Sequence, residues 1–219
     1  MQILPLLFGL LLSLTPLEQG EKLFLENKPQ EALPYLEKAL YESPRDERIY
    51  LYLGIIYEQL NNPEKAIQVL KRGLGVADSH KDLFYFNLGN NLFRQEEFTL
   101  AEQMYTNALE ANPQLPEAYL NRANARLQIE AYPSARDDYI AYLRLDPGTP
   151  QRSNIEKIIA LLGNLLEEQE RNRQEELARQ KELLNEVLST LQNASEDTRN
   201  LSAGSEQIQE EYDEIDITD

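Results

Sequence analysis

Only one imidazole stands among the 219 residues, His80, and it has no chemical company. The sequence contains no cysteine, which removes thiolate nucleophiles, disulfides, iron–sulfur clusters and cysteine-rich zinc sites. Without a second histidine a zinc site does not assemble either, and a lone loop histidine does not build a nucleophile–base pair. Gly73-Leu74-Gly75 has no third glycine and no strand before it, so it is not a dinucleotide fingerprint, and no phosphate-cradling lysine loop occurs. The acid pairs Glu96-Glu97 and Asp137-Asp138 fall on what read as exposed helix turns, as solvated charge and not as general acids. The residues therefore predict a protein that is not an enzyme and that uses no cofactor and no metal.

Charge and punctuation narrow the partners. The formal net charge is −17, which opposes contact with nucleic-acid phosphates and anionic lipid headgroups and favours solubility or a basic partner. The apolar run Ile3–Leu14 is too short to cross a bilayer comfortably as a helix, which takes roughly 20 residues. It matches the apolar core of a secretion signal. Residues 1–14 are predicted to be a signal peptide or a short hydrophobic anchor, which places the protein in a periplasm, outside the cell or on a membrane. No basic residue follows Met1 and no Ala-x-Ala site follows the run, so a buried first helix and a cytoplasmic protein are the alternative.

The organising feature is a period. Small residues recur at Gly20, Gly54, Gly89 and Ala123, spaced 34, 35 and 34 apart. Ala32, Ala66, Ala101 and Ala135 repeat at the same spacings, and so do Pro44, Asp78, Pro113 and Pro147. Between the markers, apolar residues follow helical spacing, as Tyr85, Leu88 and Leu92 do, and then Ala101, Met104, Tyr105 and Ala108. A small side chain in each helix lets two backbones approach, and the proline ends the second helix of each pair. Each pair leaves an apolar face open, so neighbouring pairs must stack. The extra residue of the second spacing falls in the loop between Gly73 and Lys81, where an insertion is cheap.

With these markers the sequence resembles the tetratricopeptide repeat (TPR) family. Four repeats are drawn at 13–46, 47–80, 82–115 and 116–149. The third matches best. The first has Pro16 where an early aromatic is usual and Pro34 inside its second helix, the second has Gly73 and Asp78 at marker positions, and the fourth has Arg122-Ala123 for Leu-Gly. The resemblance implies an all-α, right-handed superhelical solenoid of antiparallel helix pairs, non-catalytic, whose first helices line a concave groove. Ligands of such grooves usually meet the residues two before and one after the small position. Here those are Asn87 and Asn90, then Asn121 and Asn124, with Tyr52 and Ile55 in the second repeat and Glu18 and Glu21 in the first. Phe86, Leu120, Arg94 and Arg48 flank the same surface. A carboxamide both donates and accepts, so a row of them could hold an extended peptide backbone without demanding a sequence; the alternative is that these asparagines bond neighbouring helices. A clamp for a chaperone's C-terminal carboxylate would want lysine where Phe86 and Leu120 stand.

After Asp146-Pro147-Gly148 the pattern changes. Residues 150–192 are predicted to form a capping helix, with Ile155, Ile158, Ile159, Leu162, Leu165 and Leu166 as its stripe, that continues as an extended charged helix. Leu177, Leu184 and Leu191 fit a heptad, but most inward positions between are polar, so a solvated single helix is the first reading and a coiled coil with a second chain the alternative. Residues 193–219, rich in Ser, Asn, Glu and Asp, are predicted to be a disordered acidic tail. The function predicted is a scaffold that binds an extended segment of a partner protein in the groove. The rival is a structural element that self-associates through the long C-terminal helix.

Overall fold

The computed structural model describes residues 14–213, with side chains through Ser195. The predicted signal or anchor lies outside the described residues except for Leu14. Among those described, nine helices and no strands occur: α1 Pro16–Leu25, α2 Pro29–Glu42, α3 Glu47–Gln59, α4 Pro63–Leu74, α5 Lys81–Arg94, α6 Phe98–Ala111, α7 Pro116–Gln128, α8 Tyr132–Leu145 and α9 Arg152–Asp213. Prolines open α1, α2, α4, α7 and α8 in their first turn, where no backbone donor is lost. Thr15 and Glu18 cap α1 reciprocally.

The turn inside each pair is made the same way four times. Asn27, Asn61, Glu96 and Glu130 all have left-handed backbones, with φ between 55° and 62°. Asparagine tolerates this conformation; glutamate does not favour it. The reversal then brings the small residue of the first helix onto a large residue of the second. A Cβ added at Gly89 would stand 2.6 Å from Tyr105 Cε1, and one at Gly20 would stand 2.6 Å from Leu36 Cγ. Gly54 meets Leu70 in the same way, and Ala123 shares a buried cluster with Tyr139. The first pair is thus built like the others, in spite of Pro34 inside α2.

Stacking follows from which helices touch. α1 meets α3, α3 meets α5 and α5 meets α7, whereas α2, α4, α6 and α8 touch only their neighbours along the chain. The first helices therefore form one continuous inner row and the second helices an outer one. Buried residues of the first two repeats run without a break into Phe84 and Leu88 of the third. At the other end Ile155 and Leu162 of α9 bury against Tyr139, Tyr142 and Leu143, and seal the fourth repeat.

Two local readings are corrected by packing. Asp138 is not solvated: it is buried on α8 and bonded to Arg122 and Arg126 of α7. His80 is not alone: its Nδ1 contacts the Glu47 carboxylate, which also accepts from the backbone N–H groups of Asp78 and Ser79. Asp78 replaces the periodic proline because a proline there would have no N–H to offer.

The chain divides into two units, residues 1–163 and Asn164–Asp219. The second is described as helix through Asp213. The sequence ends this helix near Leu191 and expects disorder from Asn193; the stretch Arg152–Asp213 holds no proline to stop a helix. Residues 214–219 lie outside those described. No described helix is long and apolar enough to cross a membrane.

Candidate binding site on the inner wall

Three successive first helices contribute to one pocket of approximately 210 Å³. Its walls are Glu58 from α3, Asn90, Phe93 and Arg94 from α5, and Asn121 and Asn124 from α7, with Tyr105 of α6 rising between the rows. The floor is set by hydrogen bonds. Asn90 Oδ1 accepts from the Tyr105 hydroxyl at 3.0 Å and from Asn121 Nδ2 at 2.9 Å. Asn124 Oδ1 accepts from the Tyr139 hydroxyl at 2.6 Å. Arg94 Nη1 donates to Glu58 Oε1 at 3.1 Å on the rim, where Arg94 remains half exposed. Burial, with the nearby Glu58 charge, pushes the Tyr105 hydroxyl well up, against a smaller pull from the Asn121 amide. Burial pushes the Tyr139 hydroxyl up to about 12. Both tyrosines thus stay protonated and donate.

The pocket therefore presents hydrogen-bonding groups of both kinds. Among the described residues no partner falls to Asn90 Nδ2, Asn121 Oδ1 or Asn124 Nδ2, and Arg94 keeps donors beyond the one held by Glu58. Two donating amides, an accepting carbonyl, a charged fork and the Phe93 ring suit a polar main chain with an adjoining side chain. They are not arranged for proton transfer. Among the described residues no group of three or more histidines or acids is placed to hold a metal ion.

The candidates read from sequence separate into two sets. Asn90, Asn121, Asn124 and Arg94 come together in the pocket. Asn87 is buried, and its Nδ2 donates at 2.7 Å to the Leu83 carbonyl of its own helix. Phe86 packs a tilted ring 6.0 Å from that of Tyr105. Tyr52 stands against Phe24, ring centroids 5.1 Å apart, and belongs to the core of the first two repeats. Glu58, Phe93 and Tyr105 were not anticipated. Tyr105 could have been: asparagine one residue after the small position and tyrosine sixteen after it occur together in repeats three and four, where repeats one and two have Glu21 with Leu36 and Ile55 with Leu70.

On the same helix as Asn121 and Asn124, Arg122 and Arg126 head a charge network around the buried Asp138. Arg122 clasps Asp138 with two bonds of 2.8 Å and reaches Thr106, while Arg126 bridges Asp138 at 2.7 Å and Glu102 at 2.7 Å. Burial alone would lower the Arg122 guanidinium, but Asp138 outweighs this and raises it. The network ties α6 to α7 and α8, and explains how arginine fits where the third repeat has Leu88.

Two family models, each described as tetratricopeptide repeat, match residues 23–83 and 86–150. Human tetratricopeptide repeat protein 16 is 28% identical over 130 residues, which are 57% of this chain and 15% of that protein. Human protein O-mannosyl-transferase TMTC3 is 28% identical over 143 residues, 58% of this chain and 15% of that protein. The chain thus spans about a seventh of the length of these relatives. Among solved structures, MamA is similar with a TM-score of 0.60 at 22% identity, over 67% of this chain and 78% of that one. The first TPR of Spaghetti (RPAP3), bound to the HSP90 peptide SRMEEVD, is similar with a TM-score of 0.50 at 25% identity, over 53% of this chain and 95% of that one. The matched segments cover more than half of the sequence and coincide with the stacked helix pairs, and the chain belongs to the tetratricopeptide repeat family.

Proposed function

We propose that this protein-interaction scaffold binds an extended segment of a partner protein along its inner wall and so assembles a complex, without catalysing a reaction. One observation carries the reading: Asn90, Asn121, Asn124 and Arg94, from helices of two repeats, converge on one pocket with amide groups still free to pair. The chemistry supports a peptide: a main chain offers donors and acceptors in turn, which the free amide groups of Asn90, Asn121 and Asn124 can pair. The peptide seated in the RPAP3 repeat structure is a precedent for the class of ligand. The peptide's sequence is expected to differ from a chaperone tail, since Phe86 is committed to Tyr105 and Leu120 offers no charge. The apolar stretch Ile3–Leu14 supports an exported or membrane-anchored site of action, and an intact Met1 peptide on the soluble protein isolated from its host would sink that part.

The test separates binding from folding. Asn90 and Asn124 accept from buried tyrosines, so replacing them destabilises the array as well. Arg94→Ala with Asn121→Ala avoids this. Affinity capture from the native host should lose its specific partner with the double variant while helicity is unchanged. Equal capture by variant and parent would contradict the groove reading.

A further inference from the structure

The second unit carries an apolar stripe of its own. Leu177, Leu183, Leu184, Val187, Leu188 and Leu191 are each 48–61% exposed, and Leu183, Val187 and Leu191 line a shallow groove on α9. A helix this long is held by packing more than by propensity. One register accounts for the stripe: Leu177, Leu184 and Leu191 at heptad position a, with Gln180, Val187 and Ala194 at d. From Arg179 to Asn193 every outward position (b, c and f) is polar: Arg179, Glu182, Asn185, Glu186, Ser189, Gln192 and Asn193.

We propose that this stripe is covered by further copies of the same helix, in a parallel four-stranded coiled coil. Charge complementarity sets the direction. Parallel strands place each g residue beside the e residue five positions on in the next copy, which pairs Glu176 with Lys181 and Leu183 with Leu188. The antiparallel register that faces Leu184 with Val187 sets Lys181 beside Leu188 and Leu183 beside Thr190, both mismatched. Side-chain shape sets the number. Leu184 and Leu191 at a around the β-branched Val187 at d disfavour two strands and favour more. Leu183 at g and Leu188 at e widen the stripe past the a and d seam; two strands would leave them in water, and four bury them. With a formal net charge of −17 the copies repel one another, so salt should tighten the assembly by screening.

Sedimentation equilibrium of the full chain at micromolar concentration is expected to give tetramer, more completely at high salt than at low. Leu184→Glu, and independently Leu191→Glu, should give monomer with the helicity of the repeats kept, while outward Glu182→Gln should assemble like the parent. Because the chain has no cysteine, Leu191→Cys is a unique reporter. Parallel strands bring its copies together and oxidation links them, whereas the antiparallel register faces position 191 with Gln180. A parent that is monomeric or only dimeric at both salts overturns the proposal. So does assembly indifferent to Leu184→Glu, or a Leu191→Cys chain that does not cross-link. A monomer that binds anionic vesicles through this stripe would also overturn it, by giving the face to a lipid surface.

Discussion

At Asp138 one carboxylate answers two guanidinium groups in a setting almost closed to water. Removing one partner of such a cluster leaves charge buried and uncompensated, which costs about 3–5 kcal/mol. Asp138→Ala should therefore lower the urea unfolding midpoint sharply, while the neighbouring exposed Asp137→Ala should shift stability by less than about 0.5 kcal/mol. Equal effects would remove the network from the account. Glu130 offers the opposite sign. Its backbone is left-handed at φ 58°, where asparagine serves the first two repeats, so Glu130→Asn should stabilise by up to about 1 kcal/mol, read as a raised melting temperature. Glu47 sets a pH dependence. Burial raises its carboxyl, but the bonds from His80, Asp78 and Ser79 outweigh burial and hold it below its ordinary 4.5. A depressed carboxylate contributes stability that is complete above the unfolded value and is lost as pH falls through the folded one. Acid unfolding of Glu47→Gln should accordingly be shallower below about pH 4.5 than that of the parent.

Between elements, the repeated contact is a small residue on the first helix against a large one sixteen residues on. Repeats three and four add a hydroxyl to that contact and an asparagine to receive it. Repeat two, with Ile55 and Leu70, has neither. Leu70→Tyr alone should bring an unpaired hydroxyl into a buried place and destabilise, while Ile55→Asn with Leu70→Tyr should recover part of the loss. A coupling of about 0.5–3 kcal/mol in the double-mutant cycle is expected, and additive effects would contradict the pairing. This contact also marks what sequence could and could not deliver. Gly20, Gly54, Gly89 and Ala123 announce the helix pairs because steric demands at a close approach admit few residues, so period and fold were legible. Of the seven residues that line the pocket, Asn90, Arg94, Asn121 and Asn124 were legible once the inner helices were assigned, and Glu58, Phe93 and Tyr105 were not. Asp138 was not, because its partners Arg122 and Arg126 sit on another helix and only packing buries one acid of the pair while leaving Asp137 exposed. The sorting of Asn87 away from Asn90 was not legible either: a turn of helix separates a side chain that faces the groove from one that bonds its own backbone.

For the whole molecule, the row α1, α3, α5 and α7 means that each repeat depends chiefly on its neighbours. If this row is a binding wall, an aromatic photo-activated cross-linker put in place of Phe93, which lines the inner pocket, should link in the native host to one contiguous segment of a partner protein, while the same side chain at position 103, exposed on the outer helix α6, should not. The same partner segment linked from position 103, with none from position 93, would place the partner on the outer face and overturn the groove.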